Sequence, residues 1–370
     1  MAVGQPPGSM VLMHNGVSIP IENVAIGDDV VSPLPDGTCT TARVVDMIPS
    51  SPSPVFKIET TGRGGRRSYR CGERQILPVL GPASRRPQTL REISLANFSH
   101  AAPSYRRQAK IFVAPAWDVP PAVLPVHPYV LGILLGNGCF TRIMPRALGG
   151  KGVLTLTIRD ECVIEKAEEF GLTYSNRVWH KGCYSLYVTG ETREALRSSW
   201  LAGRNSHTKL IEHEYFAASL EQRLWLLAGL IDTDGTRKTY TTVSEALAND
   251  FVELIYSIGG LAKKAGQITT CNGKRFPSYY VNYSSAEHQI PVQCERKRQA
   301  PRNMAWKNPR NTSFHVIPDG EAPLIRLVLS GGREWYVTDD WLVVSAASPE
   351  ATSCTRLQDE TNVEMQGHLI

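Results

Sequence analysis

The chain has 370 residues, 42% of them hydrophobic, and a formal net charge of +5 from 40 Lys and Arg against 35 Asp and Glu. That length admits about two domains with sizeable cores, and no long uncharged apolar run is present to cross a membrane. The eight cysteines include no CxxC pair and the nine histidines no HxxxH spacing, which argues against a zinc ribbon or a histidine metal site and for a reduced, intracellular protein.

The first hundred residues read as short strands separated by turns. Val11–Met13, Asn15-Gly16 and Val17–Ile19 form a hairpin signature, because Asn-Gly suits the positive dihedrals of a two-residue turn. The start carries no charged and apolar leader pattern. Gly27-Asp28-Asp29 leads into Val30-Val31, Asp36-Gly37 marks a turn, and Ala42–Met47, Val55–Glu59 and Tyr69–Cys71 continue the rhythm.

The middle of the chain is duplicated. Val130–Gly138 (VLGILLGNG) and Leu227–Gly235 (LAGLIDTDG) read as copies of one helix, each ending in a polar residue before glycine, Asn137 or Asp234. A carboxylate at a helix C-terminus faces the negative end of the macrodipole. Two such ends side by side call for a cation between them. Gly132 and Gly136 share one helix face, as do Gly229 and Thr233, so the two backbones can approach closely. After the first copy come Leu154, Leu156 and Ile158 at strand period, a helix from Asp160 to Gly171, then Lys181 leading into the strand Tyr184–Val188. After the second come Thr239–Val243, a helix with Leu247, Phe251, Leu254, Ile255 and Ile258 on one face, then Lys274 leading into Tyr279–Tyr283.

Strands return at Leu324–Leu329, Glu334–Val337 and Leu342–Val344, and residues 350–370 form an unpatterned polar tail. This order predicts an all-β domain made from both chain ends, residues 1–115 and 312–349, interrupted by an α+β domain at 116–311 with repeats at 125–205 and 215–300. Basic clusters at Arg63/Arg66/Arg67/Arg70, Arg85/Arg86, Arg106/Arg107/Lys110, Lys263/Lys264 and Arg296/Lys297/Arg298 favour a nucleic-acid partner.

At this point the residues carry a resemblance. The two duplicated segments resemble the paired motifs of LAGLIDADG homing endonucleases, the second almost literally. The stretches SMVLMHNGVSIPIENVAIGDDVV, RQAKIFVAPAWDVP and YVTDDWLVV resemble blocks of the Hint domain of inteins. The resemblance implies a multi-domain protein: a Hint-like β domain carrying an endonuclease domain of pseudo-twofold αββαββα repeats.

The departures from the intein pattern predict that this chain does not splice. Gly4 stands near the place of the first-residue nucleophile. Gly72 to Gln75 replace the Thr-x-x-His segment, and Ser345-Ala346 replace the terminal His-Asn. Without an activated nucleophile there is no acyl shift.

The resemblance to the endonucleases implies a divalent ion, Mg²⁺ or Mn²⁺, held by Asp234 and Asn137 with backbone carbonyls of Gly136 and Thr233. It implies that Lys181 and Lys274 are the basic residues of the active site, near the water or the leaving oxygen. It further implies a strand saddle reading the major groove of double-stranded DNA over a long recognition site, with Arg142, Arg146, Arg177, Arg237, Lys238 and Arg275 as contacts. Asn137 lacks the charge of the expected acid, so one strand is cut poorly if at all. Asp232, one turn short of the glycine and matched by Leu135, reads as structural or solvated. Internal duplication implies a monomer, within the cytoplasm of a prokaryotic or phage-infected cell or within a nucleus. The alternatives are a DNA-binding protein or nickase that has lost full cleavage and, third, a splicing intein.

Overall fold

The computed structural model describes residues 3–34, 38–61, 65–81, 90–143, 152–271, 273–285, 288–299, 311–332 and 334–347. The chain folds as two compact units, Met1–Trp117 with Asn308–Ile370, and Asp118–Lys307. The expected turn at Asp36-Gly37, the clusters at Arg85/Arg86 and Arg63, and the tail at 350–370 lie outside the described residues.

The first unit is built on a seven-stranded antiparallel sheet. Its path runs Asp29–Pro33, Cys39–Thr60, Asn311–Leu329, Lys110–Phe112, Ile76–Leu80 and Leu90–Ser94, with Ser68–Gly72 paired to Cys39–Thr60. The pairing of Cys39–Thr60 with Asn311–Leu329 joins the two ends of the chain. These strands are longer than the alternating apolar segments suggest. Pro49, Pro52, Pro54, Pro318 and Pro323 interrupt the pattern, but the ladder continues past them through three register shifts. Bulges let a strand carry proline at the expense of a local ladder bond. Val11, Ile58, Leu77, Leu95, Leu327, Leu342 and Val344 are fully buried in one core drawn from both ends of the chain.

The first hairpin differs from the Asn-Gly expectation. Met10–Leu12 pairs with Ser18–Pro20, so five residues connect the strands instead of two. Gly16 has φ +81°, whereas Asn15 stays in the ordinary negative region. The Gly16 amide donates to the Met13 carbonyl at 3.0 Å, and Val17 N donates to the Asn15 side chain at 3.1 Å. A wider turn with one left-handed residue has formed. The two-residue turn instead lies at Lys181-Gly182, with φ +50° and +80°, between paired His180 and Cys183.

The second unit contains two similar halves. The first core helix, Pro128–Asn137, begins at His127, whose ring accepts from the Tyr129 amide at 3.2 Å. Burial lowers the His127 pKa to about 4, keeping that acceptor nitrogen free of a proton at neutral pH. The second core helix, Leu220–Asp234, begins in a capping box between Ser219 and Gln222. Each is followed by a sheet of matching order. In the first, Thr173–His180, Cys183–Thr189 and Leu154–Ile158 lie side by side, and Gly138–Cys139 adds to the edge. In the second, Leu261–Cys271, Lys274–Ser284 and Thr239–Thr242 take the same sequence of places, and Gly235 bridges Tyr240. Helices Glu161–Glu169 and Glu245–Ser257 supply the matching connections. Among the described residues, no helix is long and apolar enough to cross a membrane.

Candidate functional site

The two core helices touch through glycine. A Cβ on Gly132 would lie 2.5 Å from the Leu226 carbonyl oxygen, and one on Gly229 would lie 2.3 Å from that of Tyr129. Gly136 meets Thr233, where an added Cβ would stand 2.0 Å from Oγ1. The helix ends therefore lie side by side, and Asn137 and Asp234 are the next residue of each.

The terminal glycines are needed for space. Gly138 and Gly235 have φ of −77° and −99°, outside the left-handed region of a usual glycine cap. A Cβ would come within 2.5 Å of the Leu134 oxygen at Gly138 and 2.6 Å of the Ile231 Cα at Gly235. Each glycine lets the chain turn sharply from helix into the neighbouring sheet.

Both helix C-termini end on a lysine ammonium. Lys209 Nζ donates to Leu135 O at 2.7 Å and Gly136 O at 2.9 Å. Lys297 Nζ donates to Ile231 O at 3.0 Å, and to Asp232 O and Thr233 O at 2.8 Å. Terminal carbonyls lack helical partners, and positive charge there opposes the macrodipole. Burial brings the Lys209 ammonium down to about 8, although Asp234 nearby pulls it the other way. Burial likewise lowers Lys297. Asp234 is raised above the ordinary carboxylate value by desolvation, against the fields of Lys209 and Lys297. It is half-buried, whereas Asn137 is exposed.

Other residues hold these lysines in place. The Ser244 hydroxyl donates to Lys209 O at 2.6 Å, and the Ile211 amide donates to Asp250 at 2.7 Å. Buried Asp232 accepts from Gln293 N and Cys294 N, both at 2.9 Å, and from the Tyr129 hydroxyl at 3.0 Å. Asp232 is thus structural: it fixes the segment from which Lys297 reaches back.

The structure places the expected lysines away from the helix ends. Lys181 lies in a hairpin turn and Lys274 is the first residue of its strand beside the matching turn. At roughly 3.3 Å per residue, they stand about 16 and 23 Å along their strands from Leu186 and Val281, the residues in register with the sheet edges at the helix ends. Lys209 and Lys297, rather than Lys181 and Lys274, stand at the helix ends. The sequence signal is the similar interval from Asn137 to Lys209 and from Asp234 to Lys297, but Lys209 lies in an irregular segment and Lys297 ends a single 3-10 turn, Glu295–Lys297, and no periodicity marks either. The Gly136 and Thr233 carbonyls already accept from ammonium groups, which disfavours a cation at those oxygens.

The expected DNA contacts are scattered. Arg142, Arg237, Lys238 and Arg275 are exposed, while Arg146 and the Lys274 side chain lie outside the description. Arg237 donates to Arg296 O at 2.8 Å. Arg177 pairs with Glu161 and stacks 4.2 Å from the Tyr184 ring centre. Arg177 is in register with buried Leu186, and Arg275 alternates onto the side of buried Val281, so both sit on the helix-packed sides of their sheets. The opposite sides carry Thr155, Thr157, Ser185 and Tyr187 in the first sheet. In the second they carry Lys263, Gln267, Thr239, Thr241, Tyr280 and Asn282.

Part of the basic clusters is tied up. Arg70 pairs with Asp319 at 2.5 Å, Lys264 with Glu245 at 2.9 Å, and Arg296 with Asp160 at 2.5 Å. Arg298 donates to Val292 O at 2.8 Å. Among the described residues, no group of three or more His, Cys, Asp or Glu side chains could hold a metal.

In the first unit, Gly4, Gly72, Gln75 and Ser345 meet in one buried place. Gly4 N donates to Gln75 Oε1 at 3.1 Å, Gly72 N donates to Gly4 O at 3.0 Å, and Gln75 Nε2 donates to Ser345 O. Ala346 is buried beside them, and its carbonyl accepts from Arg326 at 3.4 Å. Gly4 has φ +134°, and a Cβ there would stand 2.3 Å from the Ile325 oxygen. The position excludes any nucleophilic side chain without a backbone shift.

No protein-family model matches the chain. It is similar to a replicative DNA helicase DnaB of Mycobacterium intracellulare, 32% identical over 239 residues that cover 62% of this chain and 36% of the helicase. The chain thus spans well under half the length of the curated relative it matches. A solved structure of a mutant Ssp DnaB mini-intein variant aligns over 94% of this chain and 100% of its own, at 7% identity and a TM-score of 0.32.

Proposed function

We propose that the Asp118–Lys307 unit is a site-specific, divalent-metal-dependent DNA endonuclease of the LAGLIDADG type, carried in an intein-derived Hint-like frame that no longer splices. The supporting observation is the helix pair itself. Two helices cross at Gly132 and Gly229, their ends lie side by side, and each end carries a lysine, Lys209 buried and Lys297 half-buried, with Asp234 close by. The two ammonium groups cap the helix ends and also lie beside a desolvated carboxylate, and ionisable groups perturbed together in this way cluster at functional sites. The match to part of a DnaB helicase supports an origin as an insertion in that gene.

Mg²⁺ typically takes one or two carboxylates, with waters and substrate phosphates completing its shell. The residues present fit that pattern for one ion: Asp234 offers a half-buried carboxylate and Asn137 an exposed amide oxygen. Such an ion polarises a phosphodiester and lowers the pKa of a bound water. Lys209 and Lys297 place fixed positive charge where a scissile phosphate would sit. Lys209, at about 8, can hold or release a proton near neutral pH. The outward Thr, Tyr, Asn and Lys side chains of the two sheets suit groove contacts on double-stranded DNA. The internal pairing makes one chain sufficient, acting within the cell.

Asn137 favours a second reading, a nickase or pure DNA-binding protein, since only one half of the pair retains an acid. A randomised-site DNA library incubated with purified protein and Mg²⁺ tests both readings. Enrichment of cut molecules at one long sequence supports the endonuclease, and enrichment of bound but intact molecules supports the binder. No enrichment of either kind refutes both.

A further inference from the structure

We propose that Cys162 and Cys294 are a reversible oxidation site, joined by hydrogen peroxide into a disulfide that staples the Lys297-bearing segment to the helix Glu161–Glu169. Their sulfurs lie 3.9 Å apart across 132 residues of chain. A disulfide needs about 2.05 Å, which a change in side-chain torsion can supply when the two residues already face each other. The pair is unequal in access: Cys162 is exposed and Cys294 is buried behind it. This suits an attacking thiol and a resolving thiol.

Surrounding contacts already hold the same two segments together. Arg296, two residues after Cys294, forms a two-pronged pair with Asp160, two residues before Cys162, at 2.5 and 2.7 Å. Asp232 accepts from Cys294 N, and Lys297 reaches the carbonyls of the second core helix. The bond would thus form within a pre-organised contact and needs no docking of separate parts. It would also make the position of Lys297 depend on a covalent link.

The chemistry balances in two steps. The Cys162 thiolate sulfur attacks one peroxide oxygen, the O–O bond breaks, a sulfenic acid forms and the other oxygen leaves as water. The Cys294 sulfur then attacks the Cys162 sulfur, the S–O bond breaks and a second water leaves. Two electrons pass from the sulfurs to peroxide, and both thiol protons end in water. A dithiol reverses the reaction.

The test uses the full chain treated with one equivalent of hydrogen peroxide, alkylated while denatured, and digested without reductant. Peptide mass spectrometry should show the Cys162 and Cys294 peptides linked, two alkylation sites lost per chain, and both regained after dithiothreitol. Cys162→Ser and Cys294→Ser should each abolish the link. The proposal fails if Cys294 is fully alkylated in the peroxide-treated chain, or if Cys162 links to a different cysteine. This readout is independent of DNA, so its outcome and that of the endonuclease reading are separable.

Discussion

Gly132 and Gly229 lie back to back: a Cβ on Gly132 would be 2.9 Å from the Cα of Gly229, and the reverse distance is 3.0 Å. This contact sets the spacing of the two core helices and the proximity of their polar ends.

Gly132→Ala and Gly229→Ala should each destabilise the chain by about 1–3 kcal/mol or more, since the methyl group meets backbone and not a movable side chain. Gly266→Ala is the control, because nothing lies within 4 Å of a Cβ there. It should change stability by less than roughly 0.5 kcal/mol. Urea denaturation followed by circular dichroism reads the difference.

Lys209→Met and Lys297→Met should each weaken binding to the cognate DNA and reduce the slope of log affinity against log salt by about one. With wild-type protein, affinity should fall as pH rises through about 8, where Lys209 loses its charge. Lys209→Arg should flatten that dependence. The sign for folding is opposite. Lys209 is harder to protonate folded than unfolded, so its contribution to stability rises with pH between about 8 and its ordinary value of 10.5. Affinity titrations at several pH values, paired with unfolding curves, separate the two effects.

Asp250 gives the reverse slope. Burial raises its carboxyl from 3.8 to about 6, against the stabilising Ile211 amide. The folded chain holds this proton more tightly than the unfolded chain, so stability from this group is full below about 4 and is lost as pH rises towards 6. Asp250→Asn keeps an acceptor for Ile211 and should remove that slope, which unfolding free energies at pH 4 to 7 would reveal.

Gln75→Ala should cost about 1–3 kcal/mol, because the Gly4 N–H and Ser345 carbonyl lose a buried partner. Gly4→Cys should also destabilise, through its contact with Ile325. Neither Gln75→His nor the double change with Gly4→Cys should restore peptide-bond cleavage, as read by intact mass of the chain flanked by test sequences.

The paired helices were legible in the sequence because their physical requirement is local: small residues at four-residue spacing and a polar residue before glycine. The short apolar strands were legible through alternation, except where Pro49, Pro54 and Pro318 broke the pattern and the ladder ran on through bulges. Lys209 and Lys297 were hidden because irregular segments bring them to the helix ends, and no periodicity marks such a path. Lys181 and Lys274 show the converse. They sit at matching turns of two hairpins, which alike makes them look paired, but strand length carries them away from the helix ends. The internal bonding of Arg70, Arg177, Arg296 and Arg298 was equally invisible, since a charge cluster in sequence does not show its partners.

The most direct test places the purified chain with Mg²⁺ and a supercoiled plasmid bearing a DnaB helicase coding sequence from which the matching region has been removed. Nicked circles should accumulate ahead of linear product, Asp234→Asn should abolish cutting, and Asn137→Asp should speed linearisation. An unaltered, unretarded plasmid, or cutting that persists in Asp234→Asn, would contradict the endonuclease reading.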